Sequence, residues 1–478
     1  MEKISSGIKG LDEILKGGFI KGRAYLITGG PGTGKTTLCL HFLQEGISKG
    51  ERSLFITLTE KEEQIIKNAT RVGINVDGID FLDLSPDPEF FVKAKTYDIF
   101  HSSEVEREPI ITKIISKIEE LQPKRVVIDS MTQFRYLTQD VYQFRKEVLS
   151  FLRFITDKNG TVLFISEGTK EMPDDDLRYI SDGIIELSLR GEERILCVKK
   201  FRGSDFFSGD HSYEIIRGSG FVVYPSVRVP EKYAKVDFGL ISSGTPEIDE
   251  LLKGGIERGT ITVISGPSGV GKTTLGMQFI KEAAGRGERS VVYTFDETPE
   301  QLIYRCENVN IAARHMIEKG TLEIKKIEPL IYSPDAFAQM VREDINIHNT
   351  EIVMIDSSSG YQRFIKGKDL LSHLHAICKY LTAKGVTVFL PSEVKNITGE
   401  FIISSHDVSY LADNVIFLRY LEIKGELRRT IGVLKKRLGD FEKTLREFQI
   451  TRYGIKVGEP LINLKNILTG IPVLIEER

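Results

Sequence analysis

The sequence predicts an α/β protein built from two tandem copies of one domain, each a mostly parallel sheet flanked by helices. A long internal repeat predicts the duplication. Short apolar runs that alternate with amphipathic segments predict the α/β class. A glycine-rich loop between a strand-like and a helix-like segment recurs in both copies. The 478 residues are 41% hydrophobic and 28% charged, which is typical of a globular protein.

The repeat has an offset of 237 residues over its first part. Residues 4–7 return at 241–244, residues 15–18 at 252–255, and residues 50–53 at 287–290. A period this long indicates a duplicated domain rather than a solenoid. The stretch 226–240 is charged, contains Pro230 and has no clear period, so it is interpreted as a linker. The predicted domains are therefore residues 1–225 and 241–478.

The first copy shows the alternation most clearly. Its predicted elements are, in order, a strand at 23–28, a helix at 36–49, strands at 53–58 and 125–128 with a helix at 110–121 between them, a helix at 142–158 and a strand at 161–165. Strands that alternate with helices indicate βαβ units and hence a parallel sheet covered on both faces.

Composition argues against several classes of protein. Lys and Arg total 65 against 68 Asp and Glu, so the net charge of −3 disfavours a nucleic-acid partner. The four cysteines, at 39, 197, 306 and 378, form no CxxC pair, which disfavours a zinc site and a disulfide framework. The N-terminus does not resemble a signal peptide, and no apolar run approaches about 18 residues. These features predict a cytoplasmic protein with no membrane partner.

The glycine-rich loops match the pattern G-x-x-x-x-G-K-[ST]. Glycines let successive backbone N–H groups converge on phosphate oxygens, and the helix that follows directs its positive end at the same anion. The lysine of the pattern reaches the β- and γ-phosphates. The predicted ATP-binding residues are Gly29, Gly30, Pro31, Gly32, Thr33, Gly34, Lys35, Thr36 and Thr37 in the first copy, and Gly266, Pro267, Ser268, Gly269, Val270, Gly271, Lys272, Thr273 and Thr274 in the second.

A magnesium ion bound with the nucleotide needs a hydroxyl and an acidic residue at the end of a buried strand. The hydroxyls of Thr36 and Thr273 follow the loop lysines. Asp129 ends the apolar run 126–128, and Asp356 ends the run 352–355. These four residues are the predicted Mg²⁺ ligands.

Hydrolysis also requires a group that orients or deprotonates water. The strand at 53–58 is followed by Thr59 and Glu60, and its counterpart in the second copy is followed by Asp296 and Glu297. Glu60 and Glu297 occupy the same offset, so both are candidate general bases. Asp296 is a further candidate in the second copy, whereas Thr59 cannot accept a proton in this role.

These residues, with residues 5–7, Leu11-Asp12 and Gly17-Gly18, resemble the double-domain members of the KaiC family, a branch of the RecA superfamily of P-loop ATPases. The resemblance implies two tandem RecA-like domains that bind and hydrolyse ATP. It also implies a homo-oligomer, a two-tiered hexamer with ATP between subunits, that acts as a regulatory switch with a regulatory protein partner not identified by the sequence.

The resemblance also assigns residues that act across subunits. In such proteins a Lys-x-Arg of the neighbouring subunit reaches the γ-phosphate, and the matching residues are Lys200 and Arg202 in the first copy and Lys435 and Arg437 in the second. Ser409 aligns with a phosphoacceptor, which implies Ser/Thr autokinase activity in the second domain. Residue 59 departs from the family pattern because it is Thr where a first glutamate is usual.

Two other functions stay open at this stage. A RecA- or DnaB-like DNA-dependent ATPase has the same core, and its best support is a basic stretch at 424, 428, 429 and 435–437. A scaffold that binds ATP for assembly, with negligible turnover, is compatible with Thr59.

Overall fold

The structure is a computed structural model that describes residues 1–86, 102–136, 141–168, 173–230, 234, 238–329, 331–365, 370–394, 410–423, 425–465, 467 and 473–474. Ser409 lies outside the described residues. The chain divides into two compact units, Met1–Ser226 and Val227–Arg478. None of the helices in the described part of the chain is long and apolar enough to cross a membrane.

The first unit contains a nine-stranded sheet with the order β11-β10-β9-β8-β3-β7-β6-β4-β5. Six neighbouring strands, from β8 to β5, pair in parallel, and β9 to β11 extend the β8 edge as antiparallel strands. The strands are β3 (Ala24–Gly29), β4 (Ser53–Thr57), β5 (Asp80–Asp83), β6 (Arg125–Asp129), β7 (Thr161–Ser166), β8 (Gly183–Arg190), β9 (Glu193–Phe201), β10 (Asp210–Ile216) and β11 (Gly220–Tyr224), with a separate hairpin of β1 (Lys3–Ile4) and β2 (Phe19–Ile20).

Helices cover this sheet, and two apolar clusters form the core of the unit. The central strand β3 is buried from Ala24 to Thr28, as expected for a parallel strand covered on both faces. The helices are α1 (Lys9–Ile14), α2 (Lys35–Ser48), α3 (Glu62–Val72), α4 (Ser102–Leu121), α5 (Met131–Tyr136), α6 (Val141–Thr156) and α7 (Asp175–Ile180).

The second unit repeats this topology, with the strand order β16-β15-β17-β18-β14-β19-β20-β21-β22. Its strands are β12 (Leu240–Ile241), β13 (Ile256–Glu257), β14 (Ile261–Gly266), β15 (Ser290–Thr294), β16 (Leu322–Lys326), β17 (Ile352–Asp356), β18 (Thr387–Glu393), β19 (Asn414–Ile423), β20 (Glu426–Lys436), β21 (Arg446–Thr451), β22 (Gly454–Pro460), β23 (Leu464–Lys465) and β24 (Val473–Leu474). Its helices are α8 (Pro246–Leu251), α9 (Lys272–Gly285), α10 (Pro299–Glu307), α11 (Ala313–Glu318), α12 (Pro334–His348), α13 (Ser358–Phe364) and α14 (Leu370–Ala383).

Both units therefore confirm the predicted fold class of tandem α/β domains with mostly parallel sheets. The carboxyl ends of parallel strands meet at one edge of a sheet. In the first unit this edge brings together the ends of β3, β7, β6 and β4, and the second unit places β14, β18, β17 and β15 in the same way. Part of the predicted linker packs on the second unit, where Ala234 N–H donates to the Ala383 carbonyl at 2.7 Å.

Candidate functional site

The glycine-rich loop connects β3 to α2 in the first unit and β14 to α9 in the second. Gly34 has a φ of +89°, and a Cβ atom there would lie 2.5 Å from Ile215 Cδ1. Gly271 has a φ of +113°, and its Cβ would lie 2.4 Å from Ile450 Cδ1. Only glycine fits such a position, because both the backbone conformation and the neighbouring side chain exclude a Cβ.

The loop lysines are largely buried and lie against the loop itself. Lys35 Nζ donates to the carbonyls of Gly29 at 2.9 Å and Gly30 at 3.0 Å. Lys272 Nζ donates to the Pro267 carbonyl at 2.8 Å, and burial lowers the pKa of Lys272. An anion that entered the cradle would replace these carbonyls as the partner of each ammonium group.

The predicted Mg²⁺ ligands meet at the strand ends. Thr36 Oγ1 donates to Asp129 Oδ2 at 2.7 Å. Burial raises the pKa of Asp129 to about 6, and the hydrogen bond from Thr36 opposes this only in part. Asp356 repeats the arrangement, since burial raises its pKa to about 6 and the Thr273 hydroxyl partly opposes it. A divalent cation at either place would favour the ionised carboxylate, so these groups fit the ion.

Each unit offers a hydroxyl and a carboxylate, which are oxygen donors of the kind that hard cations such as Mg²⁺ prefer. Among the described residues there is no group of three or more His, Cys, Asp or Glu side chains that could hold a metal ion. Mg²⁺ is usually held by one or two protein oxygens together with substrate phosphates and water, rather than by a protein cage. When bound, the ion would neutralise charge on the β- and γ-phosphates.

Sequence reasoning missed an acidic residue that follows the next strand in the sheet. Glu167 comes directly after β7, and its Oε1 lies 3.2 Å from Lys35 Nζ. Its counterpart Glu393 ends β18 and borders a cavity of the second unit that Lys272 also lines. The signal was present in the sequence, because a Ser-Glu pair follows an apolar run at 166–167 and again at 392–393.

Two further contacts hold the first loop from the antiparallel side of the sheet. Arg194 on β9 donates to the Gly32 carbonyl at 3.0 Å, and the Tyr213 hydroxyl on β10 donates to the Thr33 carbonyl at 2.6 Å. These residues lie more than 160 positions from the loop in sequence, so no local pattern could identify them.

The acidic loops after β4 and β15 also lie at this edge. The Thr57 hydroxyl donates to the Glu60 carbonyl at 2.5 Å, and Asn68 Nδ2 donates to Glu60 Oε1 at 3.0 Å. Thr59 is exposed. Glu60 is thus held as a partly buried carboxylate near the phosphate cradle, where the sequence predicted a base.

In the second unit the acidic loop forms one wall of a cavity of about 440 Å³. Asp296 Oδ2 accepts a hydrogen bond from Ser357 Oγ at 3.2 Å. Glu297 Oε1 accepts one from Arg305 Nη1 at 2.7 Å. The other lining residues include Ser268, Gly269, Gly271, Lys272, Thr273, Thr274, Asp356, Glu393 and Arg429. Loop, hydroxyl and carboxylates therefore face one space.

The predicted cations Lys200 and Arg202 lie at the opposite edge of the first sheet. The register pairs Lys200 with Ile184, and Ile184 with Leu26 near the start of β3. The phosphate cradle begins after Gly29, which is three residues or about 10 Å further along β3. Arg202 lies further back, because its N–H donates to the Asp182 carbonyl and the Asp182 N–H donates to the carbonyl of Ala24, the first residue of β3. Lys200 and Arg202 are therefore remote from the cradle of their own unit.

Lys435 and Arg437 occupy the same place in the second unit. Lys435 Nζ donates to the Ala412 carbonyl at 2.6 Å, and Arg437 Nη1 lies 3.1 Å from Asp413 Oδ1. Burial, with the charge of the nearby arginine, lowers the pKa of Lys435 as it does that of Lys200. Both pairs are thus built alike, away from their own nucleotide loops.

Comparison with known proteins agrees with this geometry. The sequence profile of the KaiC ATPase family matches residues 4–228 and 241–462. The chain is 28% identical to the circadian clock oscillator protein KaiC of Parasynechococcus marenigrum, over 99% of this chain and 93% of that protein. It is 27% identical to the circadian clock protein KaiC3 of a Synechocystis species, over 99% and 95% of the two chains. With both units matched along nearly their whole length, the chain belongs to the KaiC family of ATPases.

Proposed function

We propose that both units bind ATP with Mg²⁺ and hydrolyse it to ADP and phosphate. The observation that carries the proposal is the convergence at each parallel-strand edge of a loop lysine, a hydroxyl–aspartate pair and an acidic loop. In the first unit these are Lys35, Thr36 with Asp129, and Glu60, and the second unit repeats them. The lysine and the metal would neutralise phosphate charge, and a loop carboxylate would accept the proton of the attacking water.

We propose further that the protein assembles as a two-tiered hexamer with ATP between subunits. The support is the position of Lys200 and Arg202, which lie away from the cradle of their own unit and towards the other end of the sheet. Lys435 and Arg437 repeat the arrangement. Cations supplied in this way stabilise the charge that develops on the transferred phosphoryl group.

The proposed role of this ATPase is that of a cytoplasmic regulatory switch acting on a protein partner. The family supports it, since the relatives compared above are named as circadian clock proteins. Autokinase activity at Ser409 is part of the proposal and is supported by the sequence alone.

A DNA-dependent ATPase receives less support from the described residues. Three cations of the basic stretch that favoured it, Arg428, Lys436 and Arg437, are paired with carboxylates of the same chain. Arg428 pairs with Glu426 at 2.9 Å, and Lys436 is buried with Glu257 at 3.1 Å. Contacts to nucleic-acid phosphates need cations that are exposed and clustered, so the proposal includes no nucleic-acid partner.

The test uses ATP labelled at the γ-phosphate, with Mg²⁺ and the full chain. We expect label in free phosphate, and its loss when Lys35→Ala and Lys272→Ala are combined. Lys49→Ala, just beyond the far end of α2, is the matched control and should retain turnover. Label on the protein that disappears in Ser409→Ala would support the autokinase. No phosphate release from the unsubstituted chain would refute the proposed ATPase.

A further inference from the structure

The two nucleotide sites differ in the side chain that contacts the loop glutamate. In the first unit α3 presents Asn68, whose Nδ2 lies 3.0 Å from Glu60 Oε1. In the second unit α10 presents Arg305 at the equivalent position, and its Nη1 lies 2.7 Å from Glu297 Oε1. A neutral amide in one site is thus replaced by a cation in the other.

The backbone around the two glutamates is otherwise held in the same way. The Thr57 hydroxyl donates to the Glu60 carbonyl at 2.5 Å, and the Thr294 hydroxyl donates to the Glu297 carbonyl at 2.9 Å. Each threonine also accepts the N–H of its glutamate, at 3.3 Å and 3.2 Å respectively. Because the loops are anchored alike, the charge of the helix residue is the main difference between the two glutamates.

The ion pair is partly shielded from water. Both side chains are 39% exposed overall, yet Glu297 Oε2 and Arg305 Nε and Nη2 are buried and have no hydrogen-bond partner among the described residues. Hydrogen bonds between ionised groups are roughly twice as strong as those between neutral groups. Glu297 would have to break the contact with Arg305 before it could offer Oε1 to water. Glu60 would give up only the hydrogen bond from the Asn68 amide to do the same.

A second difference accompanies the first. The residue before the glutamate is Thr59 in the first unit and Asp296 in the second. Asp296 borders the same cavity as Arg305, and its Oδ2 accepts the Ser357 hydroxyl at 3.2 Å. The second site therefore has both an added carboxylate and an added cation compared with the first.

We propose that Arg305 is a positioning residue that ties Glu297 in an ion pair, so that Asp296 accepts the water proton in the second site while Glu60 does so in the first. The inference rests on the proposed ATPase function. In the step itself, the water oxygen bonds to the γ-phosphorus and the bond to the β,γ-bridging oxygen breaks. ADP leaves with the electron pair, and one water proton passes to the carboxylate.

The test measures second-site turnover in a Glu60→Gln background, where the first site has lost its proposed base. Asp296→Asn should lose about a hundredfold, because a positioned base contributes at least that much, and this loss should exceed that of Glu297→Gln by at least about tenfold. Adding Arg305→Asn to Asp296→Asn releases Glu297, so at least about a tenfold recovery is expected. That recovery should vanish when Glu297→Gln is added, which a purely structural role of Arg305 would not produce.

The reciprocal exchange in the first site is the matched control. With Asp296→Asn and Glu297→Gln silencing the second site, Asn68→Arg should lower first-site turnover by at least about tenfold. Adding Thr59→Asp should restore it, because the loop then matches that of the second unit.

Several outcomes would overturn the inference. Equal losses for Glu297→Gln and Asp296→Asn would show that Glu297 acts despite its partner. A weaker ATP affinity of Arg305→Asn with unchanged kcat would show that the guanidinium serves the nucleotide instead. Absence of turnover in the unsubstituted chain would refute the proposed ATPase and the inference together, whereas turnover with either of these two patterns refutes the inference alone.

Discussion

At the scale of single residues, His41 is a partly buried base in α2. Its Nε2 accepts the N–H of Phe221 at 2.9 Å, and burial lowers its pKa from 6.5 to about 4. The acceptor role requires a neutral ring nitrogen, so protonation would break the contact between helix and sheet. In the second unit the equivalent residue is Gln278, which donates to the Ser243 carbonyl at 3.0 Å.

We expect the first unit to lose stability as the pH falls. The unfolded chain binds a proton at His41 near pH 6.5, but the folded unit binds it only near pH 4, so the stabilisation is complete above 6.5 and is lost on acidification. Between pH 7.5 and 5 the loss is about 2 kcal/mol. Hydrogen-exchange mass spectrometry of peptides from residues 1–226 in urea would measure it. His41→Gln should lose this share of the pH dependence, and an unchanged dependence would contradict the assignment.

At the scale of secondary-structure elements, the two units pack the same pair of strands in different ways. On β3 the Tyr25 hydroxyl exchanges hydrogen bonds with the backbone of Ile20, and its ring covers Gly183 on β8. On β14 the equivalent residue is Thr262, which accepts a hydrogen bond from Asn414 of β19 at 3.2 Å. A large residue beside a small one is thus replaced by two residues of intermediate size, which keeps the volume of the core.

This exchange predicts a strong coupling between β3 and β8. A Cβ at Gly183 would lie 2.7 Å from Tyr25 Cδ1, so Gly183→Asn should destabilise the first unit by about 1–3 kcal/mol or more. Adding Tyr25→Thr recreates the pair found in the second unit and should recover about 0.5–3 kcal/mol of that loss. Urea unfolding of the two single variants and the double variant measures the coupling. Additive losses would contradict it.

These exchanges also mark what the sequence could predict. The loops, the strand-end aspartates and the order of elements follow from local patterns, because a glycine-rich turn or an apolar run is read within about ten residues. Contacts between strands that are distant in sequence cannot be predicted from local patterns. The Leu15 carbonyl accepts Lys3 Nζ at 2.6 Å, whereas the equivalent Leu252 carbonyl accepts Lys436 Nζ at 2.6 Å. Two lysines at unrelated positions in the repeat therefore donate to equivalent carbonyls, and no spacing in the sequence predicts this interaction.

The same limit applies to the candidate site. The positions of Glu60 and Glu297 after their strands could be predicted from the sequence. The structure adds that Glu60 contacts the neutral Asn68, whereas Glu297 contacts the charged Arg305. The contact of Arg194 with the first loop could not be predicted for another reason. Arg194 belongs to β9, which joins the sheet on its antiparallel side and is distant from the loop in sequence.

At the scale of the whole molecule, the proposed ring predicts complementation between two inactive variants. Lys35→Ala removes the lysine of the first phosphate cradle but keeps Lys200 and Arg202, the cations proposed to act in a neighbour's site. The variant with Lys200→Ala and Arg202→Ala keeps the cradle and lacks these cations. In a background that carries Asp296→Asn and Glu297→Gln, each variant alone should turn over little ATP, since cations of this kind contribute about 10³-fold or more. Mixing them should restore a fraction of first-site turnover, measured as phosphate release after subunit exchange.

The matched control mixes Lys35→Ala with itself at the same total concentration, which should stay inactive. Complete activity of the Lys200→Ala, Arg202→Ala variant on its own would refute the assignment of these residues to a neighbour's site.

The location of Lys200 and Arg202, towards the end of the sheet away from Gly29 of the same unit, also bears on how much of the protein a cell needs. Under the proposed function, a chain that meets no neighbour lacks charges that its own nucleotide requires. The ATP turnover per chain then rises with protein concentration until every subunit interface has formed, so the expression level controls the activity. A defective copy that still assembles would silence sites on healthy chains, which makes its effect dominant over the normal copy.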